Sequence, residues 1–179
     1  MDEIKKKYQI IYADPPWNQG MSGKYKNYNL QDKLSYPTMT LEEIKNMPIG
    51  DISEIGSHLW LWTTNQYLPA GFEVMESWGF KYLAPITWVK PSGIGNWFVH
   101  RTQTLLFGYK QKCIFPKARY KPTVLIAGNP KRHSEKPEEM RKLIEDISGT
   151  PRIELFARQK TEGWDVWGNE VESDITLTP

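Results

Sequence analysis

The sequence predicts an α/β fold, a doubly wound and mostly parallel sheet flanked by helices, on three observations. Short β-rich apolar runs alternate with stretches of helical periodicity, turn and capping signals separate them, and two acid-bearing or aromatic segments fall where strands end. No repeat, low-complexity tract or interdomain linker interrupts the alternation, so residues 1–179 are expected to form a single domain.

Each element follows from its residues. Ile10 to Ala13 is a continuous apolar run and reads as a buried strand ending on Asp14. Thr40-Leu41-Glu42-Glu43 fits a capping box, which opens a short helix ending near Met47. Ser57 to Thr63 is an aromatic-rich strand. Leu68 to Trp78 reads as a helix with Phe72, Met75 and Trp78 on one face and Gly79 as its stop. Tyr82 to Val89, Thr104 to Phe107 and Thr123 to Ile126 are β-rich, while the glycines from Lys90 to Arg101 predict a pliable loop. The last helix starts near Pro137 and places Met140, Leu143, Ile144 and Ile147 at i, i+3, i+4 and i+7 before Gly149. Ile153 to Phe156 is a strand. In such a Rossmann-like sheet ligands bind beyond the carboxyl ends of strands, where Asp14 and Phe156 both fall.

Composition narrows the class. A hydrophobic fraction of 39% over 179 residues suffices for a core, and no apolar run reaches membrane-spanning length. The charged start, Met1 to Lys7, does not read as a signal peptide, so a reducing, cytoplasmic compartment and no membrane partner are expected. One cysteine, Cys113, and three scattered histidines make no zinc-ligand cluster, so no metal is expected. A net charge of +2 does not by itself announce a nucleic-acid protein, although Lys110 to Lys121 carries five cations and no acid.

The chemistry is concentrated in Asp14-Pro15-Pro16-Trp17. An exocyclic purine amine is a poor nucleophile because its lone pair is delocalised into the ring. A carboxylate and a carbonyl that accept hydrogen bonds from the NH2 group favour a more tetrahedral nitrogen. Asp14 and the Pro15 carbonyl suit that task. Pro16 stiffens the turn without adding a competing N–H, and Trp17 offers a stacking face for the base.

This tetrapeptide, together with Arg132-His133-Ser134-Glu135-Lys136-Pro137-Glu138-Glu139, Ile153-Glu154-Leu155-Phe156-Ala157-Arg158 and Gly168-Asn169-Glu170, resembles the signature of a known family. It is the adenine-N6 methyltransferase family named after the seventy-kilodalton subunit of the mRNA adenosine methyltransferase. The likeness runs from about Tyr8 to Glu170, with the catalytic motif before the cofactor motifs.

The resemblance implies a methyltransferase fold, S-adenosyl-L-methionine as cofactor and N6 of adenine as target, in DNA ahead of RNA. A cytosine-N4 enzyme and a silent nucleic-acid-binding subunit are the alternatives. It gives the catalytic role to Asp14, Pro15, Pro16 and Trp17. Cofactor contacts fall to Asp14, Lys136, Glu154, Leu155, Phe156, Arg158, Asn169 and Glu170, and substrate contacts to Trp17, Tyr36, Asn96, Trp97, His100 and Arg101. Gln159-Lys160 departs from the family pattern, so the family's ribose contacts are not carried over to these two residues. Whether the chain pairs as a homodimer or with a partner subunit is left open.

Overall fold

The structure, a computed structural model, describes residues 6–18, 37–95, 97–115, 120–128 and 135–177. In chain order the elements are β1 (Tyr8–Ala13), α1 (Leu41–Lys45), β2 (Ser53–Thr63), α2 (Leu68–Ser77), β3 (Lys81–Ile94), β4 (His100–Tyr109), β5 (Val124–Ile126), α3 (Glu138–Ile147), β6 (Arg152–Leu155) and β7 (Asp165–Trp167). The strands form one sheet in the order β5-β3-β4-β2-β1-β6-β7. Only β4 pairs antiparallel with its neighbours; the other pairings are parallel.

The central strands are buried on both faces, which is why they read as unbroken apolar runs. Strand alternation then sorts them. Ile11, Ala13, Leu59, Leu61, Ile153 and Leu155 pack with Ile44 of α1 and with Val74 and Met75 of α2. Ile10, Tyr12, Trp60, Trp62 and Leu105 pack on the opposite side with Met140, Ile144 and Ile147 of α3. Helices therefore cover both faces, as the alternation predicts.

Local signals hold where they are chemical. Thr40 caps α1 with both arms of the capping box, and Gly79 takes φ 81° just after α2. Pro137 is the N-cap of α3 and not its first helical residue. Two expectations need correction. Phe72 is 39% exposed because Gly71, Val74 and Met75 form the buried face of α2; its ring instead meets Tyr82 edge-on at 5.0 Å. Within the segment expected to be pliable, Lys90 to Ile94 belong to β3 and His100 and Arg101 to β4, with Ile94 opposite His100 across an irregular register.

Candidate active site

β1 lies between β2 and β6, so Asp14 emerges at the carboxyl edge where chain connections run to opposite sides of the sheet. The prolines after it fix the turn through their carbonyls. Pro15 O accepts from Trp17 N at 2.8 Å, and Pro16 O accepts from Met39 N at 2.9 Å. A carbonyl has two lone pairs, so Pro15 O retains acceptor capacity. Trp17 turns inward: it is 4% exposed, donates from Nε1 to the Trp62 carbonyl at 3.1 Å and stacks on Tyr67 at 5.3 Å. Tyr67 covers one face of the indole, so Trp17 is held in place as part of the cavity wall and does not stand open to solvent. The indole borders the site as a buttress.

Lys136 precedes α3 and reaches back across the edge of the sheet. Its ammonium lies 2.5 Å from Asp14 Oδ2 and 5.5 Å from the centre of the Trp62 ring. The lysine expected on a cofactor carboxylate and the acid expected on the amine are thus paired with one another. A carboxylate offers about four lone-pair sites and an ammonium three donors, so the pair leaves both able to meet ligands. Trp62 is held from behind, its Nε1 donating to the Tyr12 hydroxyl at 2.7 Å. Burial pushes the Tyr12 pKa well above its ordinary value, so that hydroxyl stays neutral.

Phe156 leaves β6 at φ 61°, a left-handed conformation uncommon for a non-glycine residue. Its ring meets Trp167 edge-on at 5.5 Å. The next backbone approach is closer: a Cβ on Gly168 would lie 2.3 Å from the Ala157 carbonyl oxygen, which is why glycine stands there. Arg158 and Glu170 close the rim with a 2.8 Å ion pair.

These residues enclose a cavity of about 280 Å³ bounded by Asp14, Pro15, Pro16, Trp17, Lys136, Phe156, Arg158, Asn169 and Glu170. A second cavity, of about 440 Å³, lies on the α3 side and shares Asp14, Lys136, Phe156 and Arg158 with the first. Glu154 faces this second cavity and pairs with Arg141 at 2.7 Å. Two spaces thus meet at the Asp14–Lys136 pair.

Not every expected residue gathers here. Leu155 points from the opposite face of β6 into the core and is fully buried, so its assignment to the cofactor pocket is corrected. Trp97, His100 and Arg101 sit on the exposed β3–β4 hairpin and do not bound either cavity. Tyr36 and Asn96 lie outside the described residues. Sequence reasoning missed Trp62, Thr63 and Thr64 at the end of β2, and Gln103 near the start of β4, all of which line the smaller cavity. Thr63 faces Thr104 in the ladder, a register that places the start of an antiparallel strand beside the end of a parallel one. The β2 residues carry a usable signal, since Ser57 to Thr63 reads as a strand and ligands sit beyond strand ends.

Among the described residues no helix is long and apolar enough to cross a membrane, and no group of histidine, cysteine and acidic residues could hold a metal ion. A mixed, mostly parallel sheet with an acidic proline turn at its switch edge defines a methyltransferase of the Rossmann-like class. The chain belongs to the MT-A70 family, whose model matches residues 8–170. It is 30% identical over 204 residues to the Type II methyltransferase M.MunI of Mycoplasma sp, covering all of this chain and 86% of that protein. It is also 31% identical to a putative N(6)-adenosine-methyltransferase MT-A70-like protein of Medicago truncatula, over 94% of this chain and 27% of the relative. With the human N(6)-adenosine-methyltransferase catalytic subunit METTL3 it shares 29% identity, over 97% of this chain and 30% of the relative. The chain therefore spans less than a third of the length of these two longer relatives.

Proposed function

We propose that this chain transfers a methyl group from S-adenosyl-L-methionine to the exocyclic N6 amine of adenine in nucleic acid, DNA ahead of RNA. The observation that carries the reading is the Asp14 carboxylate beside the Pro15 carbonyl, in a cavity at the end of β1, with Lys136 at 2.5 Å. The N(6)-adenosine relatives name the amine. DNA is placed first because the relative matched nearly end to end is the Type II methyltransferase.

The donor set fits the cofactor. Lys136 suits a carboxylate, Asn169 and Glu170 suit a ribose diol, and Phe156 and Trp167 supply apolar walls for an adenine ring. When bound, the sulfonium supplies an electrophilic methyl group. The rest of the chemistry belongs to the chain. Asp14 and the Pro15 carbonyl accept from the two N–H groups of the amine, which localises its lone pair, and Asp14 is the acceptor at hand for the proton released. Lys136 holds the carboxylate in place, and the Trp17–Tyr67 stack keeps the proline turn from relaxing.

Incubation with methyl-labelled S-adenosyl-L-methionine and single-stranded DNA, duplex DNA or RNA, followed by nucleoside analysis, tests this. Label in N6-methyladenine that disappears in Asp14→Ala is the expected result. Label in N4-methylcytosine would move the target, and saturable cofactor binding without transfer would indicate a silent subunit.

A further inference from the structure

The chain's charge is divided along the sheet. From Ser77 to Ser134 there are ten lysines and arginines and no aspartate or glutamate, although the whole chain's net charge is only +2. That stretch supplies β3, β4 and β5, three neighbouring strands at one end of the sheet. Such an asymmetry is an electrostatic footprint for a polyanion.

Within this basic end the β3–β4 hairpin forms an arm. Its narrowness is enforced, because a Cβ on Gly93 would lie 2.2 Å from the His100 carbonyl oxygen and one on Gly95 1.8 Å from that of Phe98. Both obstacles are backbone, so a side chain at either glycine would push the strands apart. At the tip Trp97 is 95% exposed and Phe98 78%, with Ile94 and Val99 exposed beside them. Adjacent apolar groups left in water mark a contact surface. The base of the arm is tied to the smaller cavity: Gln103 lines it, and Asn65 Nδ2 lies 2.9 Å from His100 Nδ1. Arg101 Nε donates to the Lys90 backbone carbonyl at 3.0 Å, which sets the two residues across from one another between cavity and tip, with the Lys90 ammonium 5.4 Å from the centre of the Trp88 ring. Phe98 and Gln103 are five residues apart, about 17 Å at strand rise. The tip therefore stands away from a base in the cavity but within a few nucleotides of it along a strand.

We propose that the β3–β4 hairpin is a second nucleic-acid contact, in which a base flanking the target stacks on Trp97 while Lys90 and Arg101 take the intervening phosphates. This rests on the nucleic-acid reading above. A second copy of the chain fits less well, because a two-fold interface would set one acid-free arm against another. A base offers an aromatic face to the indole and a phosphate to each cation.

The test is equilibrium binding of a fluorescently labelled, adenine-containing single-stranded oligodeoxynucleotide, with sedimentation to follow self-association. Trp97→Ala is expected to weaken binding about tenfold and Trp97→Phe to restore most of it. Arg101→Ala is expected to lower the salt dependence of binding. Unchanged affinity in Trp97→Ala overturns the proposal, as does a dimer that dissociates in that variant while DNA affinity holds. The readout is binding and not turnover, so the two proposals fail separately. Trp97-dependent binding without methyl transfer would remove the activity and keep the contact; methyl transfer with kcat and KM unaltered in Trp97→Ala would do the reverse.

Discussion

Around Asp14 the carboxyl edge of the sheet is packed and its charges are paired, whereas at β3 and β4 the same edge runs out into an exposed arm without acids. Asp14 meets Lys136, Glu154 meets Arg141 and Arg158 meets Glu170, each within 2.8 Å. Between Ser77 and Ser134 the sequence holds ten cations and no acid, and Lys121 reaches out of the stretch to Asp146 of α3 at 2.8 Å. Pairing fixes side chains before a ligand arrives and cancels the field that would draw a polyanion; a local excess of one sign of charge does the opposite. The proposed chemistry thus falls to one end of the sheet and the proposed capture to the other.

The largest effect is expected from the packed end. Asp14→Ala should lower methyl transfer by about a hundred- to a thousandfold, the range for deleting one preorganised electrostatic group. Label incorporation measures it, with urea unfolding to establish that the variant folds. Full transfer by a folded variant would dissolve the division of labour.

His58 tests whether the two ends share one core. It lies on β2, which joins β4 to β1, fully buried with its Nδ1 2.9 Å from the Ser148 hydroxyl. Burial pushes its pKa down to about 4 from 6.5. Between those values the unfolded chain binds the proton and the folded chain does not. The associated stability is full above pH 6.5 and lost as pH falls towards 4, about 3 kcal/mol in all. Urea unfolding at pH 7 and at pH 5 should register the loss, and His58→Gln should flatten it. Oligonucleotide binding that survives acid while transfer is lost would mean that the ends fold separately.

Glycine substitutions sharpen the contrast on a smaller scale. Gly168→Ala drives a Cβ against Ala157 backbone and should cost about 1–3 kcal/mol, read as a lower Tm and weaker cofactor binding. Gly128→Ala, beyond β5, meets nothing within 4 Å and should stay within about 0.5 kcal/mol of the parent. The smallest effect belongs to the rim. Glu170→Gln breaks an ion pair whose side chains are about a third to a half exposed, and its change in unfolding free energy should be about 0–1 kcal/mol.

The elements that the sequence made legible are those whose signals are local. Thr40 and Glu43 cap α1 through side chains three residues apart, and the i, i+3, i+4 spacing in α3 needs no partner to be read. β7 escaped because Asp165-Val166-Trp167 is too short to show alternation and is paired through β6. The arm escaped because Gly93 and Gly95 read as loop formers, although the close backbone approach across the hairpin requires them. Within the site, Asp14 and Lys136 were visible as residue types in context. Trp17's stack on Tyr67, and the arrival of Thr63 and Gln103 at the cavity, depend on packing and register, which no local pattern carries.

The most direct measurement is steady-state methylation of a short single-stranded oligodeoxynucleotide by the parent chain, Asp14→Ala and Trp97→Ala, with kcat and KM resolved. A collapse of kcat in Asp14→Ala, with the loss in Trp97→Ala falling mainly in KM, is the predicted result. Undiminished kcat in Asp14→Ala, or a loss in Trp97→Ala confined to kcat, would contradict the separation of chemistry from capture.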